Sequence, residues 1–171
     1  MKKNKVKNIA FYGIMIALAF ILSYLESFIP IEALIPIPGV KLGFANIVVM
    51  FALYTMKLKD AFFIAVIRIL LAGLLFGNPM TIAYSFAGGM LCLLVMWLAK
   101  KTKLSMMGVS MLGGICHNIG QLAVAVILTD TTRIAYFLPV LLISGMLTGL
   151  LMGFAAKLVV DRVEKIKNKY E

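Results

Sequence analysis

Residues 100–128 are KKTKLSMMGVSMLGGICHNIGQLAVAVIL, a basic cluster followed by a long apolar run. Three of the first four residues are lysines, and the 25 residues from Leu104 to Leu128 include no Asp, Glu, Lys or Arg. An α-helix needs about 20 mostly apolar residues to cross the hydrocarbon core of a bilayer. The stretch therefore predicts a membrane-spanning helix with its lysines at one membrane surface.

The same pattern of apolar runs between short polar turns extends along the whole chain. The segment 30–39 holds three prolines and a glycine, which end a helix, and it is predicted to form a cap or lid. We predict an all-α integral membrane protein with one six-helix domain over residues 1–171. The predicted helices cover residues 8–29, 41–56, 61–76, 80–99, 104–128 and 134–160.

Composition excludes an ordinary soluble enzyme. Hydrophobic residues make up 63% of the chain and charged residues 14%, whereas soluble domains average about 45–50% and about 25%. The net charge of +10 does not indicate nucleic-acid binding, because the basic residues lie in clusters between the apolar runs. Cys92 and Cys116 lie inside apolar runs and are predicted to be buried small side chains.

The positions of the basic residues predict the orientation of the helices. All but three of the 17 lysines and arginines lie before helix one, between helices two and three, between helices four and five, or from Lys157 onward. In a six-span chain these four places share one side of the membrane. The positive-inside rule then places both termini in the cytoplasm.

Polar side chains inside the apolar runs are the candidate functional residues, since they are costly in a membrane. Estimated depths place most of them in the outer half of the bilayer, with Arg68 near the middle of helix three and Glu26 at the outer end of helix one. They predict either a solute pocket open to the outside or a polar network that fixes helix packing. The candidate substrate-binding residues are Lys41, Asn46, Arg68, Tyr84, His117, Asn118 and Gln121.

Catalytic and metal chemistry are not indicated. Asp60, Asp130 and Asp161 stand apart at helix ends, so no aspartate-rich motif is present to hold magnesium for prenyl-diphosphate chemistry. His117 has no second ligand at metal-binding spacing. We predict no catalytic residue, no metal and no cofactor.

Two sets of small residues predict close helix contacts. Gly145, Gly149 and Gly153 repeat every fourth residue on helix six, and packing inside the bundle is the favoured interpretation. Ala10, Gly13 and Ala17 share a face of helix one, where packing within the bundle and contact with a partner subunit both remain open. The glycine pairs 88–89 and 113–114 predict tight internal packing.

Three motifs resemble a bacterial membrane-protein family. They are PGVKLGFAN at residues 38–46, YSFAGG at 84–89 and GGICHNIGQ at 113–121. The family is that of the Gx transporters, also called heptaprenyl diphosphate synthase component I, and it is similar to the substrate-binding S-components of energy-coupling factor (ECF) transporters. The resemblance covers nearly the whole chain and implies a bacterial plasma membrane.

The resemblance implies two functions. As an S-component, the chain would bind a small solute from outside and work with a T-component and ATPase subunits, with Gly13-x-x-x-Ala17 at the T-component interface. As the synthase name implies, it would instead be a non-catalytic membrane subunit that assists a prenyl diphosphate synthase. Its basic tail, with Arg162, Lys165, Lys167 and Lys169, would then be either the docking site or an ordinary anchor to anionic lipid. The ligand implied is an isoprenoid or quinone precursor. An ion-coupled carrier using Glu26 is a weaker alternative.

Overall fold

The computed structural model describes residues 2–29 and 43–170, and the side chains of 9–29 and 43–169. Within these ranges the chain forms six α-helices and one 3-10 helix, in the predicted order and without strands. The predicted proline-rich lid and Lys41 lie outside the described residues. The helices are α1 (Lys2–Ser27), α2 (Asn46–Thr55), α3 (Leu58–Phe76), α4 (Pro79–Ala99), α5 (Met106–Thr129), the 3-10 helix (Thr132–Phe137) and α6 (Leu138–Tyr170).

Four segments are long and apolar enough to cross a membrane: Ile9–Ser27, Pro79–Ala99, Met106–Thr129 and Thr132–Lys169. Large apolar side chains cover the outside of the bundle, such as Leu74 at 73% exposure. The chain is therefore an all-helical membrane protein. Six membrane spans were predicted, and four of the described segments meet the length and hydropathy needed for a span. The helix α2 has only ten residues, about 15 Å at 1.5 Å per residue.

Local capping explains where the helices begin. Asn78 accepts a hydrogen bond from the Thr81 amide (2.8 Å), and Pro79 occupies the first turn of α4. Ser105 accepts from the Gly108 amide (3.2 Å) at the start of α5. The helix α3 begins at Leu58, three residues before its predicted start, because the Asp60 carboxylate accepts from the Lys57 amide (3.1 Å).

The last helix differs most from its prediction. Residues 132–137 form a 3-10 helix, and α6 then runs for 33 residues to Tyr170, ten residues past the predicted end. Its length of about 50 Å exceeds the ~30 Å hydrocarbon core. Residues 161–169 are all exposed. The charged end of α6 therefore projects from the bundle as a helix.

Glycines bring α5 and α6 into backbone contact. A Cβ atom on Gly149 would lie 2.6 Å from the Ser110 carbonyl oxygen, and one on Gly145 would lie 2.6 Å from the Gly114 carbonyl oxygen. Gly153 packs in the same way on Met107, with its Cβ position 2.9 Å from the Met107 Cα. The predicted glycine repeat of helix six thus packs inside the bundle.

The predicted glycine pairs also pack internally. A Cβ on Gly88 would lie 2.8 Å from the His117 carbonyl oxygen, and one on Gly120 would lie 2.9 Å from the Ala87 carbonyl oxygen. Gly113 faces the Met96 side chain. These contacts hold α4 against α5, next to the buried polar residues of α5.

The helix α2 lies at the centre of the bundle, with residues 48–53 all buried, and it contacts α1, α3 and α6. At its C-terminal end the Lys100 ammonium donates to the Leu53 carbonyl oxygen (2.7 Å). This bond joins the turn after α4 to the last turn of α2. The two lysine clusters at 57–59 and 100–103 therefore lie at the same end of the bundle, called here the basic end.

Candidate functional site

A layer of buried polar side chains crosses the apolar bundle. Glu26 of α1, Arg68 of α3 and His117 of α5 are each at most 5% exposed. Polar groups in hydrocarbon must find partners within the protein or face a cavity. The other buried polar side chains are Ser23, Ser85, Ser110, Asn118 and Gln121.

Glu26 holds the start of α2. Its carboxylate accepts hydrogen bonds from the backbone amides of Gly43 (2.6 Å) and Phe44 (3.2 Å). Gly43 has φ of +85°, a conformation that glycine adopts without strain. The positive end of a helix dipole stabilises a carboxylate placed there. Glu26 therefore fixes where α2 enters the bundle.

Arg68 connects α3 to the same place. Its Nη2 donates to the Asn46 Oδ1 (3.1 Å) in the first turn of α2, and the Glu26 carboxylate interacts with it electrostatically. Its Nε has no hydrogen-bond partner among the described residues. Three helices thus share one polar cluster, which we call the Glu26–Asn46–Arg68 cluster.

Asn118 connects α5 to α6. Its side-chain amide donates to the Leu141 carbonyl oxygen (2.8 Å) and to the Ser144 hydroxyl (3.2 Å). The Ser144 hydroxyl also donates to the Leu141 carbonyl oxygen (3.1 Å). The Asn118 amide is thus engaged in joining the two helices.

A small cavity lies between α2, α4, α5 and α6. Asn46, His117 and Asn118 line it, and its volume is about 10 Å³. That volume has room for about one water molecule, whereas small-molecule pockets measure about 300–1,000 Å³. Three of the predicted substrate residues therefore converge on one cavity, which is too small for a solute. The remaining walls are Gly43, Cys92, Met96, Ser110, Gly114, Thr148, Gly149 and Met152.

Arg68, Tyr84 and Gln121, the other predicted site residues among those the structure describes, do not line this cavity. Arg68 reaches it through its bond to Asn46. Gln121 is buried one turn beyond His117 on α5, where its Cγ faces Gly88. Tyr84 is buried in α4 at 4% exposure.

The family comparison covers this polar layer. The family model of heptaprenyl diphosphate synthase component I matches residues 15–159. The chain belongs to the heptaprenyl diphosphate synthase component I family. The match includes the whole Glu26–Asn46–Arg68 cluster and every residue of the cavity wall. No curated protein and no solved structure matches the chain.

Several cavity residues of this family member were missed by the sequence reasoning. Ser110 and Thr148 line the cavity beside the predicted residues. Ser110, Gly114 and His117 follow one another at helical spacing, so periodicity along α5 gave a usable signal. Cys92 is buried in the wall, while Cys116 is partly buried, and both thiols are free.

The small-residue face of α1 points out of the bundle. Ala10, Gly13 and Ala17 are exposed, and a Cβ atom on Gly13 would meet nothing within 4 Å. The sequence left open packing within the bundle and contact with a partner subunit. None of the described residues packs against Gly13, so packing within the bundle does not explain this glycine. This face offers close backbone approach to another helix.

Proposed function

We propose that the chain is a non-catalytic membrane subunit that assists a heptaprenyl diphosphate synthase at the cytoplasmic membrane surface. The family match over residues 15–159 is the observation that carries this proposal. The aspartates support a non-catalytic role, because Asp60, Asp130 and Asp161 lie in or beside different helices. Asp60 is also engaged in capping α3.

We further propose six membrane crossings in a bacterial plasma membrane, with both termini in the cytoplasm. The joined lysine clusters at the basic end support this orientation under the positive-inside rule. Gly153 of α6 packs on Met107 at the start of α5, so the charged end of α6 extends from that end too. The Tyr12 and Asp60 side chains line one surface pocket, which supports a position of the N-terminal half of α1 near the basic end.

The projecting end of α6 is the proposed docking site for the synthase. It carries Arg162, Lys165, Lys167 and Lys169, and residues 161–169 are exposed. Its charges also suit anionic lipid headgroups at the membrane surface. A soluble partner at that surface meets this helix without entering the bilayer.

Affinity purification in mild detergent, followed by native mass spectrometry, tests this function. We expect a prenyl diphosphate synthase to copurify with the wild-type chain. Replacing the four basic residues of the α6 end with glutamate should abolish that association. As a control, Lys2→Gln and Lys3→Gln, which leave Lys5 and Lys7 to orient the first helix, should preserve it. A complex of T-component and ATPases without a synthase would contradict the proposal.

A second candidate function is solute binding as an ECF-type S-component, and the polar cavity favours it. Asn46, His117 and Asn118 from two helices meet at one place. A solute needs far more than 10 Å³, so this function requires the helices around the cavity to separate. His117→Ala should weaken binding of a copurified solute without changing thermal stability in its absence. Equal stability loss without solute would assign His117 to packing.

A further inference from the structure

An apolar groove runs along the outside of the bundle between α3 and α4. Its volume is about 630 Å³, within the range of small-molecule sites. Phe62 of α3 and Phe86, Met90, Leu94 and Trp97 of α4 form its walls. From Phe86 to Trp97 it follows α4 for about 16 Å. The groove is separate from the polar cavity, and no wall residue is shared.

One end of this groove is positively charged. Lys59 lines it and is exposed, and the Lys101 ammonium lies 3.4 Å from the centre of the Trp97 ring. The nearby Asp60 carboxylate is engaged with the Lys57 amide. Two ammonium groups therefore stand at the basic end, and the rest of the groove is lined by aromatic and aliphatic side chains.

We propose that this groove binds a prenyl diphosphate, with the isoprenoid chain along α4 and the diphosphate between Lys59 and Lys101. Charge complementarity selects an anionic head at the basic end, and the apolar walls select a hydrocarbon chain. The groove between the two helices suits a single hydrocarbon chain, and the two ammonium groups suit a compact head group of high negative charge. The proposal rests on the proposed function, since it names the ligand class that a synthase subunit would hold.

Trp97 is the chain's single tryptophan and lies in the groove wall, so its fluorescence reports occupancy. The experiment titrates the full chain, in phosphatidylcholine nanodiscs, with farnesyl diphosphate. We expect a saturable change in Trp97 emission. Farnesol, which has the same hydrocarbon chain without the charge, should bind at least tenfold more weakly.

Matched variants place the ligand in the groove. Phe62 and Phe63 are adjacent and similarly exposed, at 48% and 51%, and only Phe62 lines the groove. Phe62→Ala should weaken farnesyl diphosphate binding severalfold, whereas Phe63→Ala should not. Lys59→Gln should weaken it about fivefold, since one lysine contributes modestly to anion binding at a membrane surface. Lys157→Gln makes the same charge change at an exposed position of α6 that does not line the groove, and it should have no effect.

Leu94→Ala and Leu98→Ala form a second pair, with exposures of 51% and 49%. Only Leu94 lines the groove, so only Leu94→Ala should weaken binding. Equal binding of farnesol would overturn the proposal, as would displacement of farnesyl diphosphate by equimolar phosphatidylglycerol, or equal effects within either pair. This binding assay contains no synthase, so failure of the ligand to bind would not affect the copurification test of the proposed function. Failure of the copurification test would likewise not affect this assay.

Discussion

The Asn118 side chain shows how a polar residue in this bundle serves packing. Its amide bridges to the Leu141 carbonyl oxygen and the Ser144 hydroxyl on α6. Asn118→Ala should lower the free energy of unfolding by about 1 kcal/mol, a usual value for hydrogen bonds between membrane helices. Thermal unfolding in detergent should show a fall in Tm of a few degrees. Ile119→Ala, at an exposed neighbouring position, should change Tm less; an equal change would contradict the assignment.

We expect Glu26 and Arg68 to be coupled through charge, and this coupling is testable. Glu26→Gln removes the carboxylate that stabilises the buried guanidinium, so it should cost about 3 kcal/mol. The double variant Glu26→Gln with Arg68→Gln should cost less than the sum of the single variants. A double-mutant cycle on thermal stability measures this difference. Glu164→Gln, at an exposed position, provides the control, and additive losses would exclude the coupling.

The sequence identified which polar residues are buried better than it identified their partners. His117, Asn118, Gln121 and Arg68 stood out because polar groups in apolar runs are rare. The contact between Glu26 and the Gly43 amide joins residues 17 positions apart in the sequence. Such a contact depends on tertiary folding. It explains why Glu26 caps α2, a role that its position near the end of helix one did not indicate.

At the scale of the helix, two glycines in α5 and α6 allow a matched comparison. A Cβ on Gly149 would lie 2.6 Å from the Ser110 carbonyl oxygen and 2.8 Å from the Met111 Cα, both backbone atoms. Gly149→Ala should therefore force the helices apart and cost about 2–3 kcal/mol. At Gly108 the nearest atoms are 3.6 Å away, so Gly108→Ala should be neutral or stabilising through helix propensity. Thermal unfolding of both variants checks this, and similar losses would contradict the packing assignment.

Helix order followed from the apolar runs, but two helix boundaries differ from those that the apolar runs predicted. The predicted second helix began at residue 41, whereas α2 begins at Asn46, after a turn held by Glu26. The last predicted helix ended at residue 160, whereas α6 continues to Tyr170. Its final residues are good helix formers such as Glu and Lys. The predicted end followed the loss of hydrophobicity, which marks the membrane surface and not the end of a helix.

At the scale of the whole molecule, the shared basic end predicts a labelling pattern. In a background with Cys92→Ala and Cys116→Ala, single cysteines replace Lys103, Lys165 or Thr132, which are all exposed. On intact cells a membrane-impermeant maleimide should label the Thr132 variant alone, since Thr132 lies beyond the opposite end of α5. The other two should react only after the membrane is opened. Labelling of Lys103 and Lys165 variants from opposite sides would contradict the proposed topology.

The exposed small-residue face of α1 predicts that one substitution can block assembly with a membrane partner without changing the stability of the chain. A side chain at Gly13 meets nothing within 4 Å, so Gly13→Leu should keep the thermal stability of the isolated chain. The larger side chain should block close approach of a partner helix, and copurified membrane partners should be lost. Ala123→Leu, at an exposed small residue on α5, should retain them. Loss of a T-component from Gly13→Leu would favour solute uptake. If the same variant retains a synthase, the synthase docks at the projecting end of α6 and not on the small-residue face of α1. The two surfaces would then serve different partners.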